Sequence, residues 1–581
     1  MQRLLYLFIF LLLFPASGNA ESLELEIRVA DEELHDVLSL AIHPPAALVD
    51  ADQINHRWLK RFQQQLPELV SKILQPYGYF FSQTDSEVQK NGPDEYTLNL
   101  EVEPGTPMRI TTIDLKISGS GAADAQIQKL YDNFPLKNGD ILRQDYYEEG
   151  KAALRQEALN QGYLAAEYLQ HQIRVNRQEK WTEIVLHLDT GERYQFGTTT
   201  FVESGDYPDR YLRRHLTWNK GDDFSYTRVG TTRLSLINTD LFANVLVSPK
   251  ISSTDAVVPV EVNISPLPRY RLRPGIGFGT DTGGRVSLDY RVLNLFKKAH
   301  QLRGELFVAQ REQGFDTTYI IPDLRRKDSR TLLRVGMDRE DTETFLSRKV
   351  FVEGGYQRSF SQKLNGSLYT RYSSEYSLIA TEETRTRMLL TGLRFTWQTI
   401  DDLLQPRQGT QFSLQLQGAE KSLLSDTTLL QLSGSILQLL PLPHDFFFFV
   451  RLEGGTTWQR DQFHDMPASL RFFAGGDNSV RGYAYKSLGP ENSTGEVIGG
   501  QHLLVANLEL EKKLSANWGI AAFYDIGNAF NDLNNYDLAQ GAGLGVRYYS
   551  QIGTIALDLA RQVGSVGENR YRIHFGVGFG W

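Results

Sequence analysis

The side chains of this chain that could do chemistry do not assemble into a catalytic set. Its 11 His residues are scattered without ligand spacing, and with no Cys there is no thiol chemistry, Cys-held metal or disulfide. No Walker loop, Gly-x-Ser-x-Gly turn or His-Glu-x-x-His helix occurs. Gly541-Ala-Gly-Leu-Gly545 superficially has the look of a nucleotide loop, but it lies in an alternating run with no helix after it. What stands out is one guanidinium. Arg471-Phe-Phe-Ala-Gly-Gly-Asp-Asn-Ser-Val480-Arg481-Gly482-Tyr483 is part of a long segment between two apolar alternating runs, and it carries an Arg-Gly-aromatic tip. An isolated Arg-Gly pair reads most simply as a solvated loop. An Arg placed inside a folded wall instead needs a carboxylate, because an unpaired buried charge is costly. Asp525, on the face opposite Ile520, Ala522, Tyr524 and Ile526, and Glu509, on the polar side of the preceding run, are the candidates. That is charge pairing rather than bond breaking. An enzyme would need acids, His or Ser clustered at one rim, and none is legible, so no catalytic residue, cofactor or metal is expected.

The elements that position these residues begin near Pro266. Phe412, Leu414 and Leu416 alternate with Gln411, Ser413, Gln415 and Gln417; Ile555, Leu557 and Leu559 interleave with Thr554, Ala556 and Asp558. Successive strand side chains point to opposite faces, so each run has an apolar and a polar surface. A soluble β-sandwich produces the same pattern. Two features favour a transmembrane barrel: the polar faces carry Gln, Asn, Asp and Glu, as a wet lumen would, and aromatics such as Phe446 to Phe449 and Tyr548-Tyr549 gather at segment ends. The spacing predicts sixteen strands, beginning near residues 269, 284, 302, 314, 330, 347, 363, 386, 409, 426, 445, 501, 516, 540, 552 and 571. Turns after even-numbered strands are mostly short and those after odd-numbered strands often longer, the longest running from about 460 to 500.

Residues 1–20 have the basic, apolar and small-residue regions of a signal peptide. Residues 21–265 show a weak repeat of about 80 residues, each with helical periodicity, a Gly-aromatic or Leu-Phe step and an alternating strand. Leu59, Phe62, Leu66, Leu69, Val70 and Ile73 mark the first helix face, Leu154, Ala158 and Leu159 the second, Leu234 and Ile237 the third. The expected organisation is three α+β modules at 21–105, 106–190 and 191–265, then the barrel at 266–581. The net charge of −9 argues against a nucleic-acid partner.

The barrel seam looks weak. Strand one contains Pro274, which lacks a donor, with Gly275, Gly277 and Gly279; strand sixteen contains Gly576, Gly578 and Gly580 and closes on Phe579 and Trp581. Interior Gly weakens a strand and Pro tolerates only an edge or unpaired position. A seam that opens sideways, offering an edge to an incoming strand, is the mechanism these residues suggest.

Val480-Arg481-Gly482-Tyr483, the Phe523-Tyr-Asp525-Ile-Gly527-Asn-Ala-Phe530 strand and the aromatic C-terminus together resemble the POTRA-plus-barrel proteins that insert or export other proteins at bacterial outer membranes. The resemblance covers essentially the whole mature chain and is strongest after residue 470. It implies a mainly β fold: a 16-stranded antiparallel transmembrane barrel in the outer membrane, preceded by three POTRA-like modules in the periplasm. It further implies that the loop after strand eleven folds into the lumen, with Arg481 paired first to Asp525 and second to Glu509, Gly482 letting the backbone approach and Tyr483 packing on the wall. Three modules are similar to the TamA-type branch of this family. That implies unfolded outer-membrane protein or autotransporter clients, a TamB-like inner-membrane-anchored periplasmic partner, and contact with outer-membrane lipid. A two-partner-secretion-type exporter of one dedicated substrate, or TamB-linked lipid transport, is the alternative.

Overall fold

The computed structural model describes residues 22–577 apart from 46–48, 51–52, 93–94, 253–254, 403–404 and 552. The described residues of the C-terminal part form a closed antiparallel barrel of sixteen strands, from Tyr270–Gly279 to Tyr571–Val577. Each strand begins within four residues of its expected position, the widest departure being strand eight at Glu382. The period of two sets which way each side chain points. In strand thirteen, Trp518–Phe530, burial alternates residue by residue: Ala521, Phe523 and Asp525 are buried while Ile520 and Tyr524 face outward. Outward positions elsewhere are also large and apolar, among them Leu508, Leu544, Leu557 and Ile573. A wall that is apolar outside and hydrogen-bonded strand to strand around its circumference leaves few polar main-chain groups to face hydrocarbon. No described helix is long and apolar enough to cross a membrane.

The turns differ in part from expectation. Those after strands one, three, five and seven are tight, at residues 280–282, 310–311, 342–344 and 380–381. The longer connections follow strands eight, nine, eleven, thirteen and fifteen, the first of them, 399–408, after an even-numbered strand, and the longest is the 460–501 segment.

The N-terminal modules are each built around a small three-stranded sheet. In the first, Ser22–Arg28 and Gln83–Lys90 flank Glu95–Glu103, the former pair parallel and the latter antiparallel. Helices Glu32–Ala41 and His56–Leu74 cover one face, with Leu59, Phe62, Leu66 and Val70 buried on the sheet. The second repeats the plan with Ile110–Ser118 and Glu167–Asn176 beside Trp181–Asp189. The third module's sheet has the order Phe242–Pro249, Val257–Pro266, Gln195–Val202. Its helix Tyr226–Ile237 corrects the expected face. Leu234 is 59% exposed and Ile237 points largely outward, while Val229, Thr232 and Leu236 are buried. The buried side includes a hydroxyl, Thr232 Oγ1, which accepts from the Thr217 N–H at 3.1 Å.

The Gly-aromatic step of the repeat is the joint between modules. Gly78 adopts φ +88° and its carbonyl accepts from the Met108 N–H at 2.8 Å. Gly162 adopts φ +96° and its carbonyl accepts from the Tyr194 N–H at 2.9 Å. Arg143 ties the first joint. It reaches Glu33 at 2.8 Å and Asp145 at 2.7 Å and lies over the Tyr77 ring. The Arg143 guanidinium holds the Asp145 carboxyl below the usual carboxylate range.

The expected signal peptide and the terminal Gly578, Phe579, Gly580 and Trp581 lie outside the described residues.

Candidate functional site

The 460–501 segment enters the barrel and its tip meets the inner wall. Arg481 is 6% exposed. Its Nε donates to Asp525 Oδ2 at 2.8 Å and its Nη2 to Asp525 Oδ1 at 3.0 Å, the two-pronged geometry that suits a guanidinium and a carboxylate. The Arg481 main-chain N–H adds a third bond to Asp525, at 3.1 Å. Nη1 donates to Glu509 Oε2 at 2.7 Å and to Asp558 Oδ2 at 3.0 Å. The guanidinium plane lies 3.5 Å from the centre of the Phe523 ring.

A second cation completes the cluster. Arg547 donates to Glu509 Oε1 at 2.6 Å and pairs with Asp558. The loop guanidinium of Arg481 thus shares one buried network with Arg547 and three carboxylates from strands twelve to fifteen. Each carboxylate is bridged to a cation, which is what keeps such a cluster from being prohibitively costly.

Three wall glycines make room for it. Gly541, Gly543 and Gly545 alternate on strand fourteen, Ala539–Ser550, and face the lumen. A side chain at Gly541 would strike the Arg481 carbonyl, one at Gly543 the Phe523 ring, and one at Gly545 the Asp558–Arg547 pair. Gly541 thus admits the loop tip itself, while Gly543 and Gly545 make room for the wall side chains that surround it. On the loop side, Gly482 has φ +100° and lies against strand fifteen at Gln562, whose Nε2 donates to the Gly482 carbonyl at 2.9 Å. Tyr483 is buried, and its hydroxyl bonds to the Val566 carbonyl.

The same loop also touches the opposite wall and the seam. Ser469 N–H donates to Glu375 on strand seven at 3.0 Å, and Lys486 reaches Glu340 on strand five at 2.6 Å. Asp477 reaches Thr280 beside strand one and His574 on strand sixteen. Among the described residues, strands one and sixteen pair at Gly279 with Gly576. Pro274 stands opposite Leu288 of strand two, and Gly275 packs so close to Ser287 that a side chain would strike its hydroxyl. Gly277 lies at the seam near Val577. A cavity of about 320 Å³ lies between Arg481, Asp477, His574 and the seam residues Gly277 to Gly279.

Among the described residues, Asp281, Asp477 and His574 bring metal-ligand atoms within 4.8 Å of one another, but hydrogen bonds already join them.

The structure therefore brings Val480, Arg481, Gly482, Tyr483, Asp525 and Glu509 together. Asp558, Arg547, Gly541, Asp477 and His574 were not among the sequence candidates. Asp558 carried a signal, since its alternation already put it on the polar face.

Known proteins resemble the chain in both parts. Residues 294–581 match the Omp85 superfamily domain, and residues 24–104 match the first POTRA domain of TamA. The chain belongs to the Omp85 superfamily. A curated relative, the outer membrane protein assembly factor BamA of Nitratidesulfovibrio vulgaris, is 22% identical over 372 residues, which is 60% of this chain and 46% of that protein. The chain thus spans about half the length of this relative. The crystal structure of BamA from Haemophilus ducreyi lacking POTRA domains 1–3 superposes with a TM-score of 0.68 at 16% identity, over 81% of this chain and 99% of that one. That likeness concerns the fold.

Proposed function

We propose that this Omp85 protein is an outer-membrane assembly and translocation factor of the TamA type. Its modules receive unfolded outer-membrane proteins, autotransporters among them, and its barrel passes them into the membrane through the seam between strands one and sixteen. A TamB-like inner-membrane-anchored periplasmic protein is its partner, and outer-membrane lipid surrounds its wall.

The seam carries this reading. Both residues of the described seam pair, Gly279 and Gly576, are glycines, and strand one carries Pro274, which has no N–H to donate. A client segment adding itself as a strand gains main-chain hydrogen bonds without needing a particular side-chain sequence. Strand pairing and burial in lipid supply the free energy, so no nucleotide is required. The TamA-type first module and the assembly factor among the relatives support the same reading.

The test is a lock. The chain has no Cys, so Gly279→Cys with Gly576→Cys introduces a single defined pair. Directly opposed antiparallel residues lie within disulfide reach, and neither glycine has a neighbour tighter than 3.6 Å to its added Cβ. Autotransporter assembly in cells is expected to stop when the pair is oxidised and to return on reduction. Undiminished assembly by the oxidised protein would refute the proposal.

A further inference from the structure

Asp477 sits in the loop, four residues before Arg481, yet its bonds go to both strands of the seam. Thr280, in the turn that ends strand one, donates from its hydroxyl to Asp477 Oδ1 at 2.8 Å and lies 3.0 Å from Oδ2. The Asp477 main-chain N–H donates to Asp281 Oδ2 at 2.6 Å. From the other side His574 of strand sixteen bonds through Nδ1 to Asp477 Oδ1. Its Nε2 accepts from the Gly482 N–H at 2.9 Å, so Nδ1 holds the ring proton and donates it to the Asp477 carboxylate.

Thr280 and Phe575 also bond directly across the seam. The Thr280 N–H donates to the Phe575 carbonyl at 3.0 Å, and the Phe575 N–H donates to the Thr280 hydroxyl oxygen at 3.2 Å. The hydroxyl that receives the Phe575 N–H of strand sixteen is thus held in place by Asp477. Gly476, at φ +111°, lets the loop come this close, because a side chain there would meet the Asp281 carboxylate.

We infer that Asp477 is a positioning residue that clasps the seam. It links the end of strand one to strand sixteen only while the Arg481 tip is seated, so withdrawal of the loop and opening of this end of the seam are one event. The inference deepens the proposed function and rests on it for its purpose. The clasp itself is measurable with no client present.

Hydrogen–deuterium exchange on the full-length protein in lipid nanodiscs tests it, read at segments covering Thr280 and Phe575. Exchange through local opening scales with the open fraction. Asp477→Ala is expected to speed exchange there about tenfold, the equivalent of about 1.4 kcal/mol, and to leave strands five to eight unchanged. Arg481→Ala should speed the same segments, and adding Asp477→Ala to it should produce no further increase. If Asp477→Ala fails to fold, Thr280→Ala, which removes one arm of the clasp, is read the same way. Unchanged exchange at the seam in the folded variant, or additive effects of the Arg481 and Asp477 substitutions, would overturn the clasp. Loss of assembly without any change at the seam would also count against it. A clasp intact by exchange in a protein whose oxidised seam still assembles clients would instead refute the proposed function alone.

Discussion

The carbonyl oxygen of Arg481 occupies the space where a side chain on Gly541 would begin. The loop tip and the wall are therefore complementary at the level of the main chain, beneath the ion pairs. Gly541→Ala should push the tip off strand fourteen at a cost of about 1–3 kcal/mol, the range for overpacking a tight site. Limited proteolysis is expected to cut the 460–501 segment faster in this variant while the barrel keeps its folded electrophoretic mobility. Gly284→Ala, at a position with no neighbour within 4 Å, is the control and should leave cleavage unchanged.

Arg481 and Arg547 share Glu509 and Asp558, so their contributions cannot be independent. Removing one partner of a buried pair typically costs about 3–5 kcal/mol because the other charge is stranded. Arg481→Ala should therefore undock the loop and impair assembly more than it destabilises the barrel. Arg481→Lys should rescue little, since an ammonium cannot grip Asp525 with two prongs. In a double-mutant cycle with Arg547→Ala, loop docking should show a coupling of about 0.5–3 kcal/mol. Additive effects would mean the two cations act separately.

His215, in the third module, is buried, and burial pushes its pKa down to about 3, helped by the charges of Arg214 and Lys327. Its Nε2 accepts from Arg214 Nε at 3.2 Å, so Nδ1 holds the proton and faces Ser235 Oγ at 2.9 Å. The unfolded chain binds a proton near the ordinary value of 6.5 and the folded one resists it. Stability is thus complete above pH 6.5 and falls as the pH drops from there towards 3, by up to about 1.4 kcal/mol per pH unit. Hydrogen exchange of segment 205–240 in the full-length protein should accelerate between pH 7 and pH 5 after correction for intrinsic rates, and His215→Gln should flatten that dependence.

The sixteen strands are legible in the sequence because lipid and lumen make opposite demands on alternate residues, and the pattern survives in each strand separately. Asp525 and Glu509 are legible as inward charges for the same reason. Which inward charges meet is not legible, because that depends on the stagger between strands. Asp558 and Arg547 come into register with Arg481 only after strands twelve to fifteen are aligned. The three glycines of strand fourteen look, in one dimension, like a weak strand, and the use of Gly541 appears only with the loop in place. Leu234 shows the complementary failure: an apolar residue on a short helix was assigned to the core, while the buried side carries Val229, Thr232 and Leu236.

The chain carries Glu509, Asp525 and Asp558 on a wall whose own strands supply a single guanidinium to that cluster, Arg547; the other arrives on the loop. Until it does, those carboxylates are best satisfied by water. The cylinder should accordingly complete itself around a hydrated bore and dehydrate this flank last, when Arg481 displaces the solvent. Each withdrawal of the loop would flood the flank again, and rehydration of the three carboxylates would offset part of the ion-pair energy given up, which lowers the cost of opening.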